Sequence, residues 1–218
     1  MQIVNSLNDN VYKFVYIDNP NNPTGQIITI QEIEKIIKKA DEVNTIVIID
    51  EAYGDYMPKD NSAIKFIGKY KNLYVIKSFS KAYSLAGIRI GYLAGSNELM
   101  KCYNIIEDYL VNQVAVNIAE VALNDKDFLE KTIEKTKRVK SKILTSIHKL
   151  KVLETDIQVP IFTAVCQNKD INLYKLMRSY GINTSSGFLN LGDNSVRIRI
   201  PKEDEKLIEL LKKMEEII

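Results

Sequence analysis

The sequence predicts an α/β protein: a mainly parallel sheet with its helices, followed by a smaller C-terminal α+β domain. Three observations carry this. Apolar runs of strand length at 11–17, 45–49 and 73–76 alternate with helix-patterned segments, as parallel strands joined by crossovers do. Each run ends in polar residues, at the edge where open α/β sheets bind ligands. After residue 123 the texture changes to short strand candidates at 151–154, 161–166 and 196–200, alternating with helices at 172–180 and 203–218. The domains are therefore drawn at 1–123 and 124–218.

In chain order, the run at 11–17 enters Asn19-Pro20-Asn21-Asn22-Pro23-Thr24-Gly25. Prolines, asparagines and a glycine packed this densely exclude helix and central strand. Thr29-Ile30-Gln31-Glu32 reads as a capping box. The helix it opens places Ile33, Ile36, Ile37 and Ala40 on one face. The run at 45–49 is almost wholly apolar, as a strand buried on both faces should be, and ends in Asp50-Glu51-Ala52-Tyr53. A short helix is expected over 63–70, then the run at 73–76, which ends in Ser78-Phe79-Ser80-Lys81. A fourth strand is expected over 88–94, as a candidate to run antiparallel to the others. Helices follow at 98–110, 114–123 and 126–150; in the last, Leu129, Ile133, Ile143, Ile147 and Leu150 form an apolar stripe opposite a charged face. The final helix should bury Leu207, Leu210, Leu211, Met214 and Ile218.

Hydrophobic residues make up 45% of the 218, enough for a sizeable core. The net charge is only +2, with lysines scattered among glutamates, so nothing favours nucleic acid or an anionic membrane. Cys102 and Cys166 lie far apart and read as buried free thiols of a reducing compartment. With one histidine, His148, ending a lysine-rich helix, and no cysteine cluster, no zinc site is expected. No run is long enough to span a bilayer. A cytoplasmic protein is the expectation.

The strand ends supply Asn22, then Asp50 and Tyr53, then Ser78, Ser80 and Lys81, with Arg89 eight residues after the lysine. Singly each reads as a turn or cap residue. Together they are a chemical set. Hydroxyls and a guanidinium hold phosphate by charge-assisted hydrogen bonds. A lysine amine forms a Schiff base with an aldehyde. Phosphate, aldehyde and an acid for a pyridinium nitrogen describe pyridoxal 5'-phosphate.

These motifs, with Leu85-Ala86-Gly87-Ile88-Arg89-Ile90-Gly91 and Arg197, occur in an order that resembles the fold-type I, pyridoxal-phosphate-dependent class I/II aminotransferases of the histidinol-phosphate aminotransferase type. The resemblance implies an aspartate aminotransferase-like fold, with a partial large domain and a small C-terminal domain. It also implies a homodimer working on a small-molecule amino donor and a 2-oxo acid. By the same resemblance Lys81 would carry the cofactor and move the α-proton. Asp50 would pair with the ring nitrogen, Asn22 and Tyr53 would bond the ring hydroxyl, and Ala52 would lie against the ring. Ser78, Ser80 and Arg89 would hold the phosphate. Arg197 would bind the substrate carboxylate as a planar fork.

Three departures qualify the resemblance. The chain begins just before the asparagine-proline loop, so the family's N-terminal portion is missing from it. Ser185 stands where histidinol-phosphate aminotransferases have a phosphate-binding arginine, so that substrate does not carry over. Arg199 follows Arg197 at strand period, on the same face; it fits a second anionic group on the substrate or, slightly better, a helix carboxylate. The expected activity is amino transfer between an amino acid or amino-alcohol phosphate and a 2-oxo acid. The alternatives are a decarboxylase similar to threonine-phosphate decarboxylase, or a non-catalytic remnant that binds the cofactor or a partner. A serine hydrolase is excluded for want of a histidine base and a Gly-x-Ser-x-Gly elbow. The chain alone is expected to fold and self-associate but to turn over slowly.

Overall fold

The computed structural model describes residues 2–7, 11–103, 111–188 and 190–218. They form two compact units, residues 1–20 with 27–130, and residues 21–26 with 131–218.

In the first unit, β1 (Phe14–Asp18), β2 (Ile46–Glu51), β3 (Leu73–Ser78) and β4 (Gly91–Gly95) form one sheet in that order. β1, β2 and β3 are parallel and β4 is antiparallel. Helices α1 (Gln2–Ser6) and α2 (Ile30–Glu42) precede β1 and β2. The capping box at Thr29 and Glu32 forms as the sequence predicts. Ile33, Ile36, Ile37 and Ala40 of α2 are buried with Val47, Ile49, Leu73 and Val75 of the sheet. Strand side chains alternate faces, so these sheet residues lie opposite to Tyr16, Ile48, Asp50 and Ser78. That other face is partly open: Phe14 is 62% and Tyr16 50% exposed.

The short helix expected over 63–70 is a single 3-10 turn, Ala63–Phe66, which ends where Ile67 turns to extended backbone. Helices α3 (Asn97–Tyr103) and α4 (Gln113–Asn124) follow the sheet. Of the helix expected at 98–110, residues 104–110 lie outside the described residues, as does the Cys102 side chain. Cys166 is a buried free thiol.

Helix α5 (Lys126–Ser146) leads into the second unit. There β5 (Lys151–Val152), β6 (Ile161–Val165) and β7 (Ser195–Arg199) form an antiparallel sheet in sequence order. It packs with α6 (Leu173–Ser179) and α7 (Glu205–Glu215) around Ile143, Phe162, Met177, Ile198 and Leu211. α7 buries Leu211 and Met214 as expected, and also Glu215. The Glu215 carboxylate accepts from the amides of His148, Lys149 (2.9 Å) and Leu150 (3.0 Å), beyond the end of α5. The exposed backbone donors of that turn explain why an acid is buried there.

The charged face expected for α5 needs one correction. Lys140 is fully buried. Its Nζ donates to Thr155 Oγ1 (2.7 Å) and to the carbonyls of Asp156 (2.6 Å), Val159 (2.8 Å) and Ile161 (2.8 Å). Burial pushes its pKa from 10.5 down to about 7, against the pull of the Asp156 carboxylate. The unfolded chain therefore holds a proton between these values that the folded chain gives up. Stability is expected to rise with pH across this window, and this increment is lost as pH falls through about 7. Urea midpoints measured from pH 6 to 10 should show the slope, and Lys140→Met should flatten it.

Candidate active site

Two groups of the sequence-derived residues can be located, one in each unit. In the first, Asp50, the last residue but one of β2, is in register with Asp18 of β1 and Ile76 of β3. Ser78 lies two residues beyond Ile76, so Asp50 and Ser78 share a sheet face. The Asp50 carboxylate accepts from the Ala52 amide (2.8 Å) and from the Tyr16 hydroxyl. Burial of the Tyr16 hydroxyl, and then its bond to Asp50, push its pKa well above the ordinary value, so it stays a donor. Tyr16 was not anticipated, although alternation along β1 in register with Ile48 puts it on the Asp50 face.

Tyr53 follows and is buried, with the Lys81 ammonium 5.3 Å from its ring centroid. Beyond β3, the Ser78 hydroxyl accepts from the Ser80 amide (3.1 Å), which tightens the turn leading to Lys81. Arg89 closes the next 3-10 turn in the left-handed region at φ 55°. Its guanidinium donates to Ala86 O (2.9 Å) and is otherwise exposed. It lines an open cleft of about 600 Å³ with Gly87, Ile90, Val114 and Ala115; Asp50, Tyr53 and Lys81 do not line it.

The opposite face carries a charged cluster that sequence reading missed. Lys77 Nζ lies 2.9 Å from Glu51 Oε2 and 3.6 Å from Asp55 Oδ1. Glu51 also accepts from Ser62 Oγ (2.6 Å) and the Ala63 amide (2.7 Å). Burial alone would lower the Lys77 pKa, but Glu51 and Asp55 outweigh it and raise it, so the ammonium persists. Burial raises the Asp55 pKa, with Lys77 opposing. Gly54 is required here, since a Cβ would come within 2.7 Å of Glu51 Cβ.

In the second unit, Arg197 of β7 donates through Nη1 to Asn22 Oδ1 (2.7 Å) and through Nη2 to Ser185 Oγ (3.1 Å). Its guanidinium lies 5.5 Å from the Phe188 ring centroid, and its buried Nε has no partner. Asn22 and Arg197 are thus brought together, and Ser185 joins them. Arg199 is exposed.

The description "Aminotransferase class I and II" names the family model that matches residues 2–214. The chain belongs to this family. A histidinol-phosphate aminotransferase of Clostridium acetobutylicum is 33% identical over 210 residues, covering 94% of this chain and 58% of its own length. The crystal structure of histidinol-phosphate aminotransferase from that organism superposes with TM-score 0.81 at 25% identity, over 94% of this chain and 65% of its own. The Sinorhizobium meliloti histidinol-phosphate aminotransferase in complex with pyridoxal-5'-phosphate gives 0.78 at 24% identity, over 94% and 58%. The fold is the fold-type I α/β fold of these aminotransferases. The chain spans 33% to 58% of the length of such curated relatives. Among the described residues no helix is long and apolar enough to cross a membrane, and no cluster of His, Cys, Asp and Glu could hold a metal ion.

The buried cluster sits one residue from Asp50 and from Ser78. Removing one partner of such a pair leaves an uncompensated buried charge, costing about 3–5 kcal/mol. Glu51→Ala is expected to lose that much in urea denaturation, and Glu51→Leu with Lys77→Met to recover most of it. A loss under 1 kcal/mol would contradict this account.

Proposed function

We propose that this chain carries the lysine-bearing part of a pyridoxal-phosphate-dependent aminotransferase that moves an amino group between an amino acid or amino-alcohol phosphate and a 2-oxo acid. The observation behind this is the Asp50 carboxylate, held at a strand end by Tyr16 and Ala52, on the same sheet face as Ser78. The donor set fits the cofactor. A carboxylate that already accepts two hydrogen bonds keeps a lone pair for a ring N–H. Tyr16, kept protonated, cannot take that proton itself.

When bound, pyridoxal phosphate supplies a conjugated sink for the electron pair released at the substrate α-carbon. The residues do the rest. Asp50 would pair with the protonated ring nitrogen as its opposite charge. Lys81 Nζ would hold the cofactor through its aldehyde carbon, with water leaving, and once displaced by the substrate amine would move a proton at the substrate α-carbon. By the resemblance, Ser78, Ser80 and Arg89 would hold the phosphate, Tyr53 and Asn22 would be the groups for the ring hydroxyl, and Ala52 would lie against a ring face. Arg197 receives the α-carboxylate. A homodimer in the cytoplasm is part of the proposal. The exposed Phe14, Tyr16, Val114 and Val121 support self-association, since exposed apolar surface favours it.

The test is cofactor loading. The chain with pyridoxal phosphate, reduced by borohydride and digested, is expected to carry the label on the Lys81 peptide alone. Label on another lysine, or none, overturns the assignment. In the active form, Asp50→Asn should lower turnover on the order of a hundredfold while cofactor still binds; near-normal turnover would remove Asp50 from its role. Carbon dioxide release without amino transfer would select the decarboxylase alternative.

A further inference from the structure

Asn22 and Arg197 are 175 positions apart. Their meeting depends on how the loop 21–26 is seated. The loop is hydrogen-bonded within itself: Asn21 N donates to Gln26 O (2.8 Å) and Gly25 N to Asn21 O (2.8 Å). Thr24 Oγ1 also donates to Asn21 Oδ1 (2.7 Å). Outside contacts then place it on the segment around 154–163. Thr163 Oγ1 donates to Pro23 O (3.0 Å) and Asp156 N to Gly25 O (2.9 Å). Gln26 Nε2 donates to Glu154 (3.0 Å). At Gly25, with φ 79°, an added Cβ would come within 2.5 Å of Ile161 O and 2.6 Å of Thr155 Oγ1.

Those two oxygens are also acceptors of the Lys140 nitrogen, at 2.8 and 2.7 Å. Lys140 thus draws together the wall against which Gly25 lies. Thr155 Oγ1 donates in turn to Ile161 O (3.2 Å), which closes the group. No carboxylate contacts Lys140 within hydrogen-bond distance among the described contacts; it is spent on three backbone carbonyls and one hydroxyl. Burying a lysine amine costs free energy, so stability alone is a poor reason for a lysine here.

We propose that Lys140 is a positioning residue for the Asn22–Arg197 pair, acting through the 155–161 segment and the Gly25 loop. It touches neither partner of the pair. By gathering Thr155 and Ile161 it fixes the seat of residues 21–26, and so the point at which Asn22 Oδ1 meets Arg197 Nη1. The guanidinium, which has Ser185 as its other side-chain acceptor, is thereby aimed. The ligand part of this inference rests on the reading of Arg197 as carboxylate receptor; the structural part does not.

The experiment compares full-length wild type and Lys140→Met by amide hydrogen exchange and by calorimetric titration with 2-oxoglutarate. Exchange at Gly25 and Asp156 is expected to quicken about tenfold, with the Ile198 amide of β7 unchanged. Affinity for 2-oxoglutarate should fall about tenfold, which a loss of bulk stability alone would not produce. Wild-type exchange at Gly25 and Asp156 in a folded Lys140→Met overturns the proposal, as does uniform acceleration across the second unit. If Lys140→Met does not fold, Thr155→Val decides: a few-fold acceleration confined to Gly25 and Asp156 supports the role, and wild-type exchange rejects it. Absence of 2-oxoglutarate binding by the wild type would fault the reading of Arg197, and the exchange result would still judge Lys140.

Discussion

Glu51 and Lys77 pair across β2 and β3 on the covered face of the sheet, and the rest of the first unit is arranged around that pair. Successive strand residues point to opposite faces. The ion pair therefore fixes where Asp50 and Ser78, one residue away, emerge on the other side. A slip of one residue would exchange the two faces of a strand. It would bury Asp50 among isoleucines and strand Lys77 away from its carboxylates. Ser62 and the Ala63 amide complete the shell of Glu51, so the carboxylate is anchored from outside the sheet as well as across it.

The two sheet faces divide the work. The α2 face holds the apolar packing of Ile33, Ile37, Val47, Ile49 and Val75. The other face carries Tyr16, Asp50 and Ser78, and it is the face left partly open. An open face suits chemistry, because a polar crevice at strand ends must admit a ligand. Its apolar residues near the start of β1, Phe14 above all, suit contact with further protein.

Much of this was legible in the sequence because the signals were local. The strands, their parallel order, the capping box at Thr29 and the polar strand ends all follow from periodicity and turn chemistry within a few residues. What was not legible depends on register or on distant segments. Tyr16 reads as one more strand aromatic until β1 is aligned with β2. Glu51 and Lys77 do not stand out beside Asp50 and Ser78, since neither strand alone reveals its partner. Lys140 is the clearest case. The stripe Leu129, Ile133, Ile143, Ile147 and Leu150 steps by four and three, and continuing that step through the gap lands on positions 136 and 140. A lysine there breaks an apolar rule, and such breaks are where special roles are expected.

Several buried polar groups among the described residues end on backbone. Glu215 takes the amides past α5, Glu51 takes the Ala63 amide, and Lys140 takes three carbonyls. A side chain that binds another side chain fixes two rotamers. One that binds backbone fixes the course of a segment, and every side chain on that segment inherits the position. Irregular segments gain most, because no ladder of their own holds them. Residues 155–161 and 21–26 are of this kind, and they carry the seat of Asn22. Site geometry must hold to about 0.5 Å. A loop rich in proline and asparagine meets that demand only when something outside it defines its path. In this chain buried charge on regular elements supplies the definition, and the loop supplies the reach.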